Sequence, residues 1–268
     1  MPYDCILVES DGPYVTVTMN LPERRNALSR AHLLELLDAF GKIGASNALG
    51  VVLAGRGPVF SAGHDLAELA GAELDQVREL LSTCTDLMEL IQAVPQVVIA
   101  RVHGLATAAG CQLVASCDLA VAAKSATFAL PGGKGGWFCT TPLVAVGRSV
   151  SRKHALEMAL TGDPIDADTA AGWGLVNRVV PDDALEQATV ELLERATRGS
   201  AVSRALGKQA FYTQIGMEQY QAYRYAVEVM AAASQIDDAR EGVSAFLEKR
   251  AARWAAPSAS REGVNNSQ

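Results

Sequence analysis

A chain of 268 residues with 49% hydrophobic content can bury one large core, or a core with an appendage, and is expected to fold alone. Its formal net charge is −7 and its basic residues are scattered singly or in pairs, so no cationic field exists for a phosphate backbone and nucleic acid is not an expected partner. No apolar run approaches the roughly 20 residues of a bilayer span.

Cys5, Cys84, Cys111, Cys117 and Cys139 show neither CxxC spacing nor a nearby pair of histidines, which argues against a metal site. Their number is odd, and Met1-Pro2-Tyr3-Asp4 carries neither a basic signal region nor an arginine-rich amphipathic presequence. Reduced thiols in a cytoplasmic protein are therefore expected.

Along the chain, Cys5–Glu9 and Tyr14–Met19 flank Ser10-Asp11-Gly12-Pro13, and Val15, Val17 and Met19 alternate with threonines, which predicts a β-hairpin. Leu33, Leu36, Leu37 and Phe40 then fall on one helical face, and Gly50–Ala54 reads as a short buried strand. A helix over Leu74–Ala93 is expected to stop before Pro95. A strand over Val97–Val102, a turn at His103-Gly104 and a helix behind Ala109 follow. Asp118–Ala122 and Thr127–Leu130 read as further extended pieces. From Ser151 onward the pattern is helical, over residues 153–160, 168–172, 185–197, 201–215, 217–234 and 240–250, with Val176–Val180 alone extended. Strands with crossover helices followed by helices alone predict an α/β core over residues 1–200 and a helical region over 201–254. The polar stretch 255–268 is expected to be disordered.

Two small-residue turns carry the chemistry. Phe60-Ser61-Ala62-Gly63-His64-Asp65-Leu66 and Gly104-Leu105-Ala106-Thr107-Ala108-Ala109-Gly110-Cys111 each lead from an apolar segment into a helix. Such turns can aim backbone N–H groups at one point, where an oxygen gaining negative charge is held. Asp65 reads as the cap of the following helix. Arg24-Arg25 reads either as a contact for a small anionic ligand or as a solvated turn.

These residues, with Asn20–Leu28, Leu160-Thr161-Gly162-Asp163 and Ala171–Val176, resemble the enoyl-CoA hydratase/isomerase (crotonase) superfamily over about residues 5–254. Residues Gly104–Asp118 are most similar to a mitochondrial branch described as enoyl-CoA hydratase domain-containing. The resemblance implies an α/β spiral of ββα units, a C-terminal helical trimerisation region, and a homotrimer or dimer of trimers. It implies an acyl-CoA thioester as ligand, with no permanently bound cofactor and no metal. By motif, the thioester carbonyl falls to the backbone N–H groups of His64 and Ala109. Coenzyme A contacts fall to Arg24, Arg25, Ala27, Leu28, Ala62, His64, Asp65, Leu66 and Ala106, with a structural role in the turns as the competing reading for each.

The two glutamates that hydratases of this family use correspond to Gln112 and to Gly132, after Pro131. An amide orients water but cannot take its proton, and glycine offers no side chain. Gln112 then reads either as a satisfied core amide or as a holder of water or thioester. Pro131 and Trp137 are candidate substrate contacts, and Lys134, Trp137, Cys139, Thr140 and Thr141 are candidates to line an acyl chamber. Cys139 reads as a nucleophile or, more simply, as an inert thiol.

The expected function is acyl-CoA thioester binding with backbone stabilisation of an oxyanion or enolate, nominally that of an enoyl-CoA hydratase, a lyase of fatty acid metabolism. The alternatives are a decarboxylase or thioesterase that adds the His64 side chain, and a non-catalytic carrier or regulatory subunit.

Overall fold

The computed structural model describes residues 3–255. Strands β1 (Ile6–Asp11) and β2 (Tyr14–Met19) form the expected antiparallel hairpin, and the alternation buries Val15, Val17 and Met19 on one face. Helix α1 (Arg30–Gly44) starts at Ser29, whose side chain accepts from the His32 N–H, and buries Leu33, Leu36 and Phe40. Each such side chain, taken from water to a fully buried site, contributes about 1.5–3 kcal/mol.

Strand β3 (Gly50–Gly55), short helix α2 (Leu66–Leu69) and long helix α3 (Leu74–Ala93) come next. Then follow β4 (Val97–Val102), β5 (Leu105–Thr107), α4 (Ala109–Ser116), β6 (Leu119–Ala123) and β7 (Thr127–Ala129). Helices α5 (Thr140–Ser149) and α6 (Arg152–Thr161) precede β8 (Ile165–Asp166), α7 (Ala167–Trp173) and β9 (Arg178–Val180). The chain continues with α8 (Leu185–Ala196), α9 (Ala201–Gln214), α10 (Gln219–Ala233) and α11 (Asp237–Leu247).

The main sheet has the order β1-β2-β3-β4-β6-β9, parallel from β2 onward. Its inner strands are apolar at nearly every position because both faces are covered. Val51, Leu53, Val98 and Ala100 point into the core shared with α1 and α3, whereas Val52, Ala54, Ile99 and Val121 meet Leu185 and Leu193 of α8. A second sheet, β5-β7-β8, stands beside the site.

Helix α9 is pinned to this core by a buried polar cluster. Asp118 accepts from Lys208 Nζ at 2.7 Å, from the Tyr212 hydroxyl at 2.9 Å and from the Val98 N–H at 2.8 Å. Lys208 also donates to the carbonyls of Ile91 and Gln96. Burial pushes the Asp118 carboxyl up and the Lys208 amine down, and their mutual attraction opposes both.

Elements in the structure that the sequence pattern did not announce are α5 and the short strands β5 and β8, whereas the helix expected behind Asp65 is present as the single-turn α2. Ala255, taken with the C-terminal tail, donates its N–H to Asp238. The rest of that tail lies outside the described residues.

Candidate functional site

The two turns are knitted into one object by backbone hydrogen bonds. The Ser61 N–H donates to the Leu105 carbonyl at 3.2 Å, and the Thr107 N–H returns to the Ser61 carbonyl at 3.0 Å. Gly110 must be glycine for this approach, since a Cβ there would stand 2.4 Å from the Ser61 carbonyl oxygen.

Buried Asn26 locks the Arg24–Leu28 segment onto the same unit. Its Nδ2 donates to the carbonyls of Arg56, Val59 and Phe60, and its Oδ1 accepts from the Leu21 N–H. Arg25 and Asn26 both take left-handed φ values, which asparagine tolerates better than most residues. The Leu28 N–H then reaches the Gly63 carbonyl at 2.7 Å, and the Ala62 N–H the Arg25 carbonyl at 3.0 Å.

These contacts leave two amides unused. Among the described residues, neither the His64 N–H nor the Ala109 N–H donates to a protein acceptor. They come from abutting segments: a Cβ added at Gly63, the residue before His64, would lie 3.2 Å from the Ala109 nitrogen. Ala109 opens α4, so its N–H also stands at the positive end of a helix of eight residues.

Both residues line a cavity of about 770 Å³. Ala62, Leu66, Pro131, Gly132 and Trp137 line it too, as do the expected chamber residues Lys134, Cys139, Thr140 and Thr141. Leu81, Phe138 and Pro142 complete its apolar wall and were not anticipated. A usable signal existed for Leu81, which joins Leu74 and Val77 in a stripe of α3 separate from its core-facing residues.

The cavity holds little free charge. Lys134 is ion-paired with Asp163. Both ring nitrogens of His64 are buried without a partner of hydrogen-bonding geometry. Burial pushes its pKa down, against opposing effects from the Leu28 backbone and Glu68, so the ring is neutral at pH 7. Cys139 receives the Gly132 N–H at 3.3 Å, yet burial still pushes its thiol up, which favours the inert-thiol reading.

Other expected contacts lie off the cavity wall. Arg24 is exposed and paired with Asp65 at 3.3 Å, while Asp65 caps α2 by accepting from the Ala67 N–H. Arg25 is exposed, Ala27 half-buried, and Leu28 and Ala106 are fully buried core residues. Gln112 is buried on α4, is absent from the cavity lining, and leaves its Oε1 without a partner among the described residues. The five cysteines are free and buried, with Cys111 pushed up to about 12 by burial. Among the described residues no three His, Cys, Asp or Glu side chains gather as a metal site, and no helix is long and apolar enough to cross a membrane.

The fold and site define a mixed α/β protein with a largely apolar cavity onto which two abutting small-residue turns open. The family model described as enoyl-CoA hydratase/isomerase matches residues 11–257, and the chain belongs to that family. It is 44% identical over 240 residues to the rat protein named enoyl-CoA hydratase domain-containing protein 3, mitochondrial, covering 89% of this chain and 80% of that one. Among solved structures, an enoyl-CoA hydratase of Mycobacterium smegmatis matches with a TM-score of 0.91 and 46% identity, covering 94% of this chain and 99% of that one. The human enoyl-CoA hydratase domain-containing protein 3 matches with a TM-score of 0.90 and 40% identity, over 94% of this chain and 100% of that one. The crotonase-type fold expectation is thereby met.

The cytoplasmic expectation is overturned, because the rat and human relatives are named mitochondrial. Free thiols distinguish reducing from oxidising surroundings, not one reducing compartment from another.

Proposed function

We propose that this chain binds acyl-CoA thioesters, with the thioester carbonyl accepting from the N–H groups of His64 and Ala109, and that it stabilises an oxyanion or enolate there without glutamate-assisted hydration. The observation that carries this reading is the pair of unclaimed amides on abutting turns at one cavity. Fixed donors of this kind are worth about 2.7–4 kcal/mol each when charge develops on the oxygen.

Hydration draws no support from the neighbouring groups. Gln112 is a buried amide off the cavity wall, and the backbone around Gly132 has no room for a side chain. General acid and base groups are typically worth about 10²–10⁴-fold each, so a chain lacking both is a poor hydratase.

A second reading, decarboxylation or thioester hydrolysis assisted by the His64 side chain, is favoured by its two unpartnered ring nitrogens on a cavity-lining residue. Assembly as a homotrimer or a dimer of trimers is supported by the apolar residues exposed on α9 to α11.

The test is calorimetric titration with butyryl-CoA and free CoA, beside an assay with crotonyl-CoA. Two net hydrogen bonds of about 0.5–1.5 kcal/mol each make butyryl-CoA bind roughly tenfold tighter than CoA. Crotonyl-CoA keeps its conjugated absorbance at the rate of protein-free buffer. Equal affinity for butyryl-CoA and CoA would remove the carbonyl site, and turnover within roughly 1–10³ per second would reinstate hydration. His64→Ala should leave binding within a few-fold, because the backbone donor stays. Loss of any thioester hydrolysis or malonyl-CoA decarboxylation in that variant selects the second reading.

A further inference from the structure

Ala108 stands in a backbone conformation that an L side chain rarely adopts. Its φ of 49° and ψ of −118° are those of the first central residue of a type II′ turn, where glycine is the ordinary occupant. The turn has no freedom to relax. The Ala108 N–H donates to the Ala129 carbonyl at 2.9 Å, the Ala108 carbonyl accepts from the Gln112 N–H at 3.0 Å, and Gly110 is pressed on Ser61. A strained residue held this firmly beside a site points to a role for its side chain.

That side chain is one methyl, and it serves the cavity more than the core. Ala108 is half-buried and lines the cavity. Its Cβ lies 3.1 Å from the point that a Cβ on Gly63 would occupy, and the Ala109 nitrogen lies 3.2 Å from the same point. The methyl therefore sits beside the two free amides. A carbonyl oxygen accepting from both at about 2.9 Å brings its own carbon, and the carbon next to it, within van der Waals reach of that methyl.

We propose that Ala108 is a specificity-determining residue, whose methyl excludes acyl groups branched at the carbon next to the thioester carbonyl and confines the site to acyl-CoA thioesters that are unbranched there. This rests on the assignment of the His64 and Ala109 amides as the carbonyl site. The branch cannot push the methyl aside, because its position is set by a backbone that the surrounding hydrogen bonds hold.

The experiment compares the full chain with Ala108→Gly in calorimetric titrations with butyryl-CoA and isobutyryl-CoA, which differ only in that branch. The parent chain binds butyryl-CoA at least about tenfold tighter, the usual cost of one misplaced carbon in a fitted pocket. In Ala108→Gly isobutyryl-CoA binding tightens until the two affinities come within about twofold, and Tm rises by about 2–4 °C as the strain is relieved. A preference for butyryl-CoA that persists in Ala108→Gly, or equal binding of the two by the parent chain, overturns the proposal and leaves the carbonyl site standing. Failure of the parent chain to bind either thioester overturns both.

Discussion

A Cβ placed on Gly132 would lie 2.2 Å from the Trp137 carbonyl oxygen, so this position cannot carry a side chain unless the loop around it is rebuilt. The Cys139 sulfur, which accepts the Gly132 N–H, would stand 2.8 Å from the same Cβ. Position 132 is thus part of a closed turn. Placing a carboxylate at this position is a folding problem before it is a catalytic one.

Gly132→Glu is accordingly expected to destabilise the chain by about 1–3 kcal/mol, as overpacking of a fitted region does. Combined with Gln112→Glu it should still fail to hydrate crotonyl-CoA at an ordinary enzymatic rate. Thermal denaturation and the loss of enone absorbance check this. An unchanged Tm together with rapid hydration would show that the turn opens freely.

The Asp118–Lys208 pair is expected to be the most sensitive joint between core and C-terminal helices. Asp118→Ala leaves the Lys208 ammonium buried beside two carbonyls and should cost about 3–5 kcal/mol in urea denaturation. Asp118→Ala with Lys208→Met should cost less than Asp118→Ala alone, because no uncompensated charge remains. Strictly additive losses would contradict the pairing.

Helix α10 exposes Tyr220, Tyr223, Val227 and Met230, at successive spacings that place them on one face. If that face is covered by further copies of the chain, light scattering should report a trimer or a multiple of it. Val227→Glu with Met230→Glu should then shift the population to monomer, since each charge would have to be buried. A wild-type monomer at micromolar concentration sinks the idea.

Stability should fall on mild acidification. Burial holds the pKa values of His32 and His64 below the ordinary 6.5, with the Ala27 carbonyl opposing at His32. The unfolded chain therefore binds more protons than the folded one below that pH. The stabilisation is complete above about pH 6.5 and is lost as the pH falls toward the depressed folded values. Tm should drop between pH 7.5 and pH 5.5, and His32→Gln should show a smaller drop. Equal drops would locate the acid sensitivity elsewhere.

Much of the fold was legible because it follows local period and turn chemistry. The hairpin before Met19, the helix over Leu74–Ala93 and the strand over Val97–Val102 stand where the pattern puts them. Helix α5 is not legible in the sequence because Thr140-Thr141-Pro142 and Gly147 are weak helix formers, and only Pro142 and Val146 of it are buried. In sequence, strand β5 reads as part of a turn, since three residues become a strand only through β7 and Ser61.

Sequence alone determined which residues are small enough for the two turns to touch, and that positions 112 and 132 lack a carboxylate. It could do so because glycine, alanine and missing charges are local facts. Only the tertiary structure decided that the His64 and Ala109 amides emerge from abutting segments, that Gln112 is buried off the cavity lining, and that Leu28 and Ala106 belong to the core. Those outcomes depend on how α4 is rotated and how the turns lock through Ser61 and Asn26, contacts between segments 30 or more residues apart that no local pattern encodes.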